Sequence, residues 1–266
     1  MGGVASPSSM MKKLGGVVAL ITGASGEIGS ATAIEFAREG ASGLALHYRH
    51  NLRKAQRVAK EAGKLGCRTL LLRANLADAV EAKRLVRDTV AAFRRLDALV
   101  CIAGHPFSRE DWFGRFEDLT PEQLRNPLDV DLLGSSYVIQ AAVPVMKKRH
   151  GGKIVLIGST PAITGDAVGI SYLVAKAGIL ALTRALAQYL GPYNIHVNAL
   201  ALGAIDTKAT TARLTARQKE ELTQEASLRR FGAPLEVARK VVFLAGKDSD
   251  FMTGQTLVAD GGYAMR

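Results

Sequence analysis

The sequence predicts an α/β fold: a single doubly wound parallel sheet of about seven strands, with helices on both faces. Three observations carry this. From Val17 onward, short apolar runs alternate with amphipathic helical patterns. The apolar runs are continuous, as expected of parallel strands buried on both faces. No internal repeat and no Pro/Ser/Gly linker divides residues 15–266 of the 266-residue chain, so one domain holds the whole pattern.

The opening stretch MGGVASPSSMMKK is small, polar and aperiodic, so residues 1–14 are expected to form a mobile N-terminal tail, with Met10 or Met11 an alternative start. The first strand is VVALIT, cut by glycines after six residues, which suits a buried strand better than a signal peptide. A helix near 27–39 follows, and Gly40 ends it as a left-handed terminal residue. Strand GLALHY leads to a helix near 51–65, and RTLLLRA to one near 78–93. Strand DALVCIA precedes a helix over 121–149, begun by a Thr120 cap, a proline at Pro121 and Gln123 three residues after the cap. KIVLIG precedes a helix over 170–190. IHVNALA, a helix near 234–246 and the strand QTLVA complete the pattern. Residues 206–234 have a polar, helix-forming middle without a strand. They read as a mobile substrate lid, with a fixed surface helix pair as the other reading.

Hydrophobic residues make up 48% of the chain and mean hydropathy is +0.10, enough for a sizeable core and against disorder. No apolar run reads as long enough to span a membrane. Cys67 and Cys101 form no pair-spaced motif, which suits a reducing cytoplasm. The net charge of +11 is scattered, without zinc-finger, basic-zipper or arginine-rich segments, so a nucleic-acid partner is not expected. An anionic small molecule, an acidic protein or solubility alone would account for the charge. No residues have metal-ligand spacing.

The turn TGASGEIG follows the first strand and opens the first helix, supplying Gly23, Ser25, Gly26, Glu27, Ile28 and Gly29. Glycines there allow a tight turn and close approach to a phosphate, and the helix N-terminus offers N–H groups and the positive end of its dipole. A dinucleotide site of Rossmann type is expected. NAD sites place a carboxylate about twenty residues on, at the ribose hydroxyls. From Gly40 to Lys60 there is no Asp or Glu; Arg49, with His50 beside it, stands where a ribose 2′-phosphate needs a cation. NADP(H) is therefore expected over NAD(H).

Tyr172 and Lys176, four residues apart, share one face of an otherwise apolar helix. Taken alone, the pair reads as a tyrosine at the core edge and a lysine reaching to water. Together with TGASGEIG, Ala103-Gly104 and Ser159, thirteen residues before Tyr172, it changes meaning. The chain resembles the short-chain dehydrogenase/reductase family over nearly all of residues 15–266. VNALALGAIDT and TGQTLVADGG resemble further family segments. MKKRHGGKIVLIGS and TLVADGGYAM resemble the β-ketoacyl carrier-protein reductase type within it.

The resemblance implies a dinucleotide-binding catalytic domain over 15–266 that reduces a ketone. Tyr172 would give the proton, Lys176 would favour the phenolate and hold the nicotinamide ribose, and Ser159 would orient the carbonyl. Asn75 and Leu76 fall at the adenine position. Ala103 and Gly104 line the site, and Gly203, Ile205 and Thr207 lie at the nicotinamide end. Arg149 falls at a carrier-docking position, while a second docking arginine expected near Tyr193 is absent. Three residues depart from the family pattern: Ile102 and Leu202 replace an asparagine and a proline, and Asp131 takes the place of the asparagine that completes the catalytic tetrad. A 3-oxoacyl thioester, on an acyl carrier or coenzyme A, is the expected substrate. A sugar or polyol dehydrogenase and an NADP-binding sensor whose catalysis has faded are the alternatives.

Helix 170–190 carries apolar residues all round: Leu173, Val174, Ile179, Leu180, Leu182, Leu186 and Leu190. The surplus face implies a second subunit, giving a symmetric dimer or the tetramer common in the family.

Overall fold

The computed structural model describes residues 12–106 and 108–265. Its strands are β1 (Val18–Thr22), β2 (Gly43–Tyr48), β3 (Arg68–Arg73), β4 (Ala98–Cys101), β5 (Gly152–Ser159), β6 (Ile195–Leu202) and β7 (Thr256–Ala259). They form one parallel sheet in the order β3-β2-β1-β4-β5-β6-β7. The expected α/β sheet of about seven strands is what the chain builds.

The helices are α1 (Glu27–Arg38), α2 (Leu52–Lys64), α3 (Ala79–Phe93), α4 (Arg109–Phe113), α5 (Pro121–Pro127), α6 (Gly134–Lys148), α7 (Pro161–Thr164), α8 (Ile170–Leu190), α9 (Lys208–Thr211), α10 (Ala216–Glu225) and α11 (Pro234–Ala245). Strand side chains alternate between two apolar layers. Ala19 and Ile21 of β1 face Phe36 of α1, Val58 of α2 and Val241 of α11. Leu20 faces the opposite layer, with Leu85 of α3, Val138 of α6 and Ile179 of α8. Each such large side chain, fully buried, contributes about 1.5–3 kcal/mol.

The structure amends four sequence expectations. Leu14, assigned to the tail, is fully buried in the α1/α11 layer, and its N–H donates to Glu39 O at 2.9 Å. The fold therefore includes Lys12–Leu14, while residues 1–11 of the expected tail lie outside the described residues. The single helix expected over 121–149 is interrupted by a π-helical turn at Leu128–Leu133, with Pro127 just before it. Segment Ile170–Tyr193 is, by length and composition, long and apolar enough to cross a bilayer, contrary to the reading that no run is. It packs on β5 and β6 and buries Lys176, as a core helix does. Within α8, Leu173, Ile179, Leu180 and Leu190 are buried in the single chain, leaving Val174 and Tyr189 exposed, so the surplus face is narrower than expected.

Candidate active site

The strand order reverses between β1 and β4, and a cleft of about 630 Å³ opens at the carboxyl ends of the strands there. The glycine turn forms its floor. Gly23 has φ +69°, and a Cβ on it would come within 2.9 Å of the Ala103 backbone. On Gly29 a Cβ would collide with Gly23 O. Gly26 caps α1 without a side chain, so the helix's first turn faces the cleft unobstructed. A dinucleotide's phosphates fit such a cradle.

All the expected cofactor residues line this one cleft, from Gly23, Ser25, Gly26, Glu27, Ile28 and Gly29 at the turn to Arg49, His50, Asn75 and Leu76 beyond it. Ala103, Gly104, Gly203, Ile205 and Thr207 complete the set. Arg49 and His50 are exposed at the end of β2, with Lys54 beside them. Two expected contacts carry other duties as well. The Glu27 carboxylate accepts the Lys208 N–H at 2.6 Å, tying α1 to α9. The Thr207 hydroxyl caps α9, accepting from Thr210 N at 3.2 Å.

His47 was not anticipated. It is buried at the end of β2, where Nδ1 accepts the Gly23 N–H at 3.1 Å and Nε2 donates to Ala74 O at 3.1 Å. Burial pushes its pKa down to about 4, with the Ala74 hydrogen bond partly opposing. It therefore stays neutral and pins the glycine turn to the end of β3. Nothing in GLALHY marks such a role, because both partners are distant in sequence.

Ser159 ends β5, buried, and Tyr172 and Lys176 stand on α8 against it. Lys176 Nζ donates to Ile157 O at 3.0 Å and lies 3.0 Å from Asp131 Oδ2. The latter is a buried ion pair, and among the described residues Oδ2 has no other partner. Asp131 sits in the π-helical turn, and its Oδ1 accepts the His105 N–H at 2.6 Å. Burial works to lower the Lys176 pKa, but the Asp131 carboxylate and the Tyr172 phenol outweigh it, and the net shift is upward. The ammonium also lies 5.5 Å from the Tyr172 ring centroid.

The other departures have visible compensation. Thr22 Oγ1 accepts the Ile102 and Ala103 N–H groups at 3.0 and 3.1 Å, so a side chain of β1 braces the end of β4. Leu202 is buried in the α1/α11 layer, and its carbonyl accepts the Thr160 N–H at 2.9 Å. Arg149 is outside the cleft lining; at the end of α6 it lies 3.6 Å from Asp97 Oδ1.

The substrate side of the cleft comes from elements with no sequence signature. Trp112 of α4 packs on Tyr172, ring centroids 5.3 Å apart. Arg213, between α9 and α10, lies over the Trp112 ring at 4.2 Å. Tyr263, near the C-terminus, donates to the Asp166 carboxylate from the β5–α8 connection. The segment expected as a lid crosses this side as α9 and α10. Arg109 fastens it, donating to Arg213 O at 2.7 Å and Gln218 Oε1 at 3.0 Å.

Comparison with known proteins gives the cleft a context. Residues 23–264 match the family model described as enoyl-(acyl carrier protein) reductase. The chain is 34% identical over 247 residues to a 3-oxoacyl-(acyl-carrier-protein) reductase of Staphylococcus aureus, covering 93% of this chain and 98% of that protein. It is also 34% identical over 255 residues to an L-rhamnose 1-dehydrogenase (NAD(P)(+)) of Sphingomonas sp., covering 95% and 98%. A solved short chain dehydrogenase of Burkholderia cenocepacia, in complex with NADP, aligns with TM-score 0.86 and 31% identity over 94% of this chain and 99% of that one.

Proposed function

Since this chain belongs to the short-chain dehydrogenase/reductase family of oxidoreductases, we propose that it reduces a ketone to a secondary alcohol with NADPH, and that the ketone is a 3-oxoacyl thioester. The observation that carries this reading is the convergence of Ser159, Tyr172 and Lys176 on the cleft whose floor is the glycine turn.

The cofactor fits the residues present. Gly23 and Gly29 leave backbone where side chains would collide, and Arg49 with His50 offers positive charge without a competing carboxylate on the β2 exit. That balance favours the 2′-phosphate of NADP over NAD, in keeping with the Burkholderia cenocepacia relative solved with NADP. When bound, NADPH supplies the hydride for the carbonyl carbon. The protein's own groups handle the oxygen. The Ser159 hydroxyl donates to the carbonyl oxygen and orients it. Tyr172 transfers its phenolic proton to that oxygen as negative charge develops there. Lys176, held protonated by Asp131, stabilises the resulting phenolate and offers its remaining N–H to the ribose hydroxyls of the cofactor.

The Staphylococcus aureus relative supports the 3-oxoacyl substrate. Carrier docking at Arg149 finds less support, because that residue sits at the end of α6, next to the start of β5 and so at the amino ends of the strands, opposite the cleft. Coenzyme A suits the structure as well as a carrier protein. The L-rhamnose dehydrogenase relative favours a second reading, oxidation of a sugar or polyol. We read the protein as a cytoplasmic homo-oligomer: Cys67 and Cys101 are unpaired, and Val174 and Tyr189 of α8 offer an apolar contact. Following NADPH consumption with acetoacetyl thioesters and plain ketones, and NADP+ reduction with L-rhamnose, separates the readings. Faster turnover of the thioester supports the first, and turnover of the sugar alone supports the second.

A further inference from the structure

The cations of the cleft are not equivalent. Lys176 is paired with Asp131, and Arg230 with Glu236 at 2.7 Å. Arg49 is exposed and Lys54 partly so at the far end, by β2 and α2. Arg213 differs: it is half-buried on the substrate side, and among the described residues no carboxylate lies within ion-pair distance of its guanidinium. The acid on the same wall, Asp166, already accepts from the Thr164 and Tyr263 hydroxyls. Burial lowers the Arg213 pKa, and Tyr172 is the group that opposes this. Burying a cation is costly unless a partner oxygen meets it.

Its position is fixed from two sides. Arg109 holds the Arg213 carbonyl at 2.7 Å, and the Trp112 ring supports the guanidinium face at 4.2 Å. Stacking occupies the face and leaves the in-plane N–H groups for an acceptor. Trp112 is itself in ring contact with Tyr172, so the guanidinium and the phenol share one aromatic neighbour on the wall of the same cleft.

We infer that Arg213 is a substrate-specificity residue that binds the C1 oxygen of a 3-oxoacyl group while the C3 carbonyl stands at Tyr172. This rests on the carbonyl-reduction reading and narrows it to 1,3-dicarbonyl substrates. A thioester carbonyl and a free carboxylate present the same C1 oxygen. Both receive charge-assisted hydrogen bonds from a guanidinium, and a simple ketone of similar length presents none.

The test uses the full chain with NADPH and three substrates: acetoacetyl N-acetylcysteamine thioester, acetoacetate and 2-pentanone. Arg213→Leu is expected to lower the kcat/KM ratio of thioester to 2-pentanone by roughly ten- to a hundredfold, the worth of a hydrogen bond to a charged group. Arg213→Lys restores part of it. A larger fall for acetoacetate than for thioester identifies the carboxylate as the preferred form, and the reverse identifies the thioester. Equal losses on all three substrates, or a wild-type ratio near one, overturn the inference. A binding arm stands apart from turnover. Trp112 is the sole tryptophan, so its fluorescence with NADP+ present reports acetoacetate directly. A saturable change in wild type that Arg213→Leu abolishes, with the variant's melting temperature retained, supports the site, and no saturable change overturns it. Should wild type show that change yet reduce no ketone, the reduction reading fails while the oxygen site stands.

Discussion

Lys176 Nζ lies 3.0 Å from Asp131 Oδ2, two opposite charges buried together where α8 meets the π-helical turn. In the proposed mechanism the pair accounts for a carboxylate at the expected place of a tetrad asparagine. There Asp131 would keep the lysine protonated and so favour the Tyr172 phenolate, while its own negative charge would oppose that phenolate. The two effects partly cancel. Asp131→Asn is therefore expected to change kcat by less than about tenfold, or ~1.4 kcal/mol in barrier, and to move the alkaline limb of the pH profile downward. The sign follows from the raised Lys176 pKa. Its contribution to stability is whole below the ordinary lysine value near 10.4 and is lost as pH rises through the higher folded value. The Asn variant should thus unfold at lower alkaline pH. A hundredfold gain in kcat would show instead that Asp131 cripples the natural protein.

Arg49→Asp should shift preference from NADPH towards NADH. The cation proposed to face a 2′-phosphate becomes a carboxylate suited to two ribose hydroxyls and repels the phosphate. The expected loss for NADPH is about 1.5–3 kcal/mol, read as a ratio of Kd values by fluorescence titration. Equal losses for both cofactors would make Arg49 structural.

His47 gives the fold an acid limit. Its folded pKa of about 4 lies below the ordinary value of 6.5, so its neutral form stabilises the fold above that value and the contribution is lost as pH falls towards 4. Between pH 7 and 5 the loss is about 2 kcal/mol. Urea unfolding at the two pH values should show this difference for wild type and a smaller one for His47→Gln. An identical pH dependence in both proteins would remove His47 from the account.

Local signals in the sequence were enough for the sheet and the cofactor end of the cleft. Unbroken apolar runs placed the strands, and TGASGEIG placed the dinucleotide cradle, because a tight turn before a helix needs glycine wherever the fold is found. Helical spacing put Tyr172 and Lys176 on one face, and their role, like that of Ser159, was legible only through the resemblance. What stayed hidden depends on distant partners. The π-helical turn coincides with the Asp131–Lys176 pairing across 45 residues, which no helical periodicity encodes. Trp112 meets Tyr172, and Arg213 meets Trp112, through long-range ties: Arg109 joins α4 to the α9–α10 connection, and the Trp112 carbonyl accepts the Gly169 N–H. Leu14 was read as tail because its neighbours are polar and small, yet it fills a gap beside α1 and α11.

The most direct measurement of the central claim is single-wavelength NADPH oxidation with an acetoacetyl thioester, run on wild type and Tyr172→Phe. The phenylalanine ring can keep the contact with Trp112 and loses only the hydroxyl. The account predicts one alcohol formed per NADPH by wild type, a rate roughly 10²–10⁴-fold lower in the variant, and nearly equal NADPH affinity in both. A Phe variant that keeps most of the rate would contradict Tyr172 as the acid. A wild type that binds NADPH yet reduces no ketone would contradict catalysis itself and leave a cofactor-binding sensor.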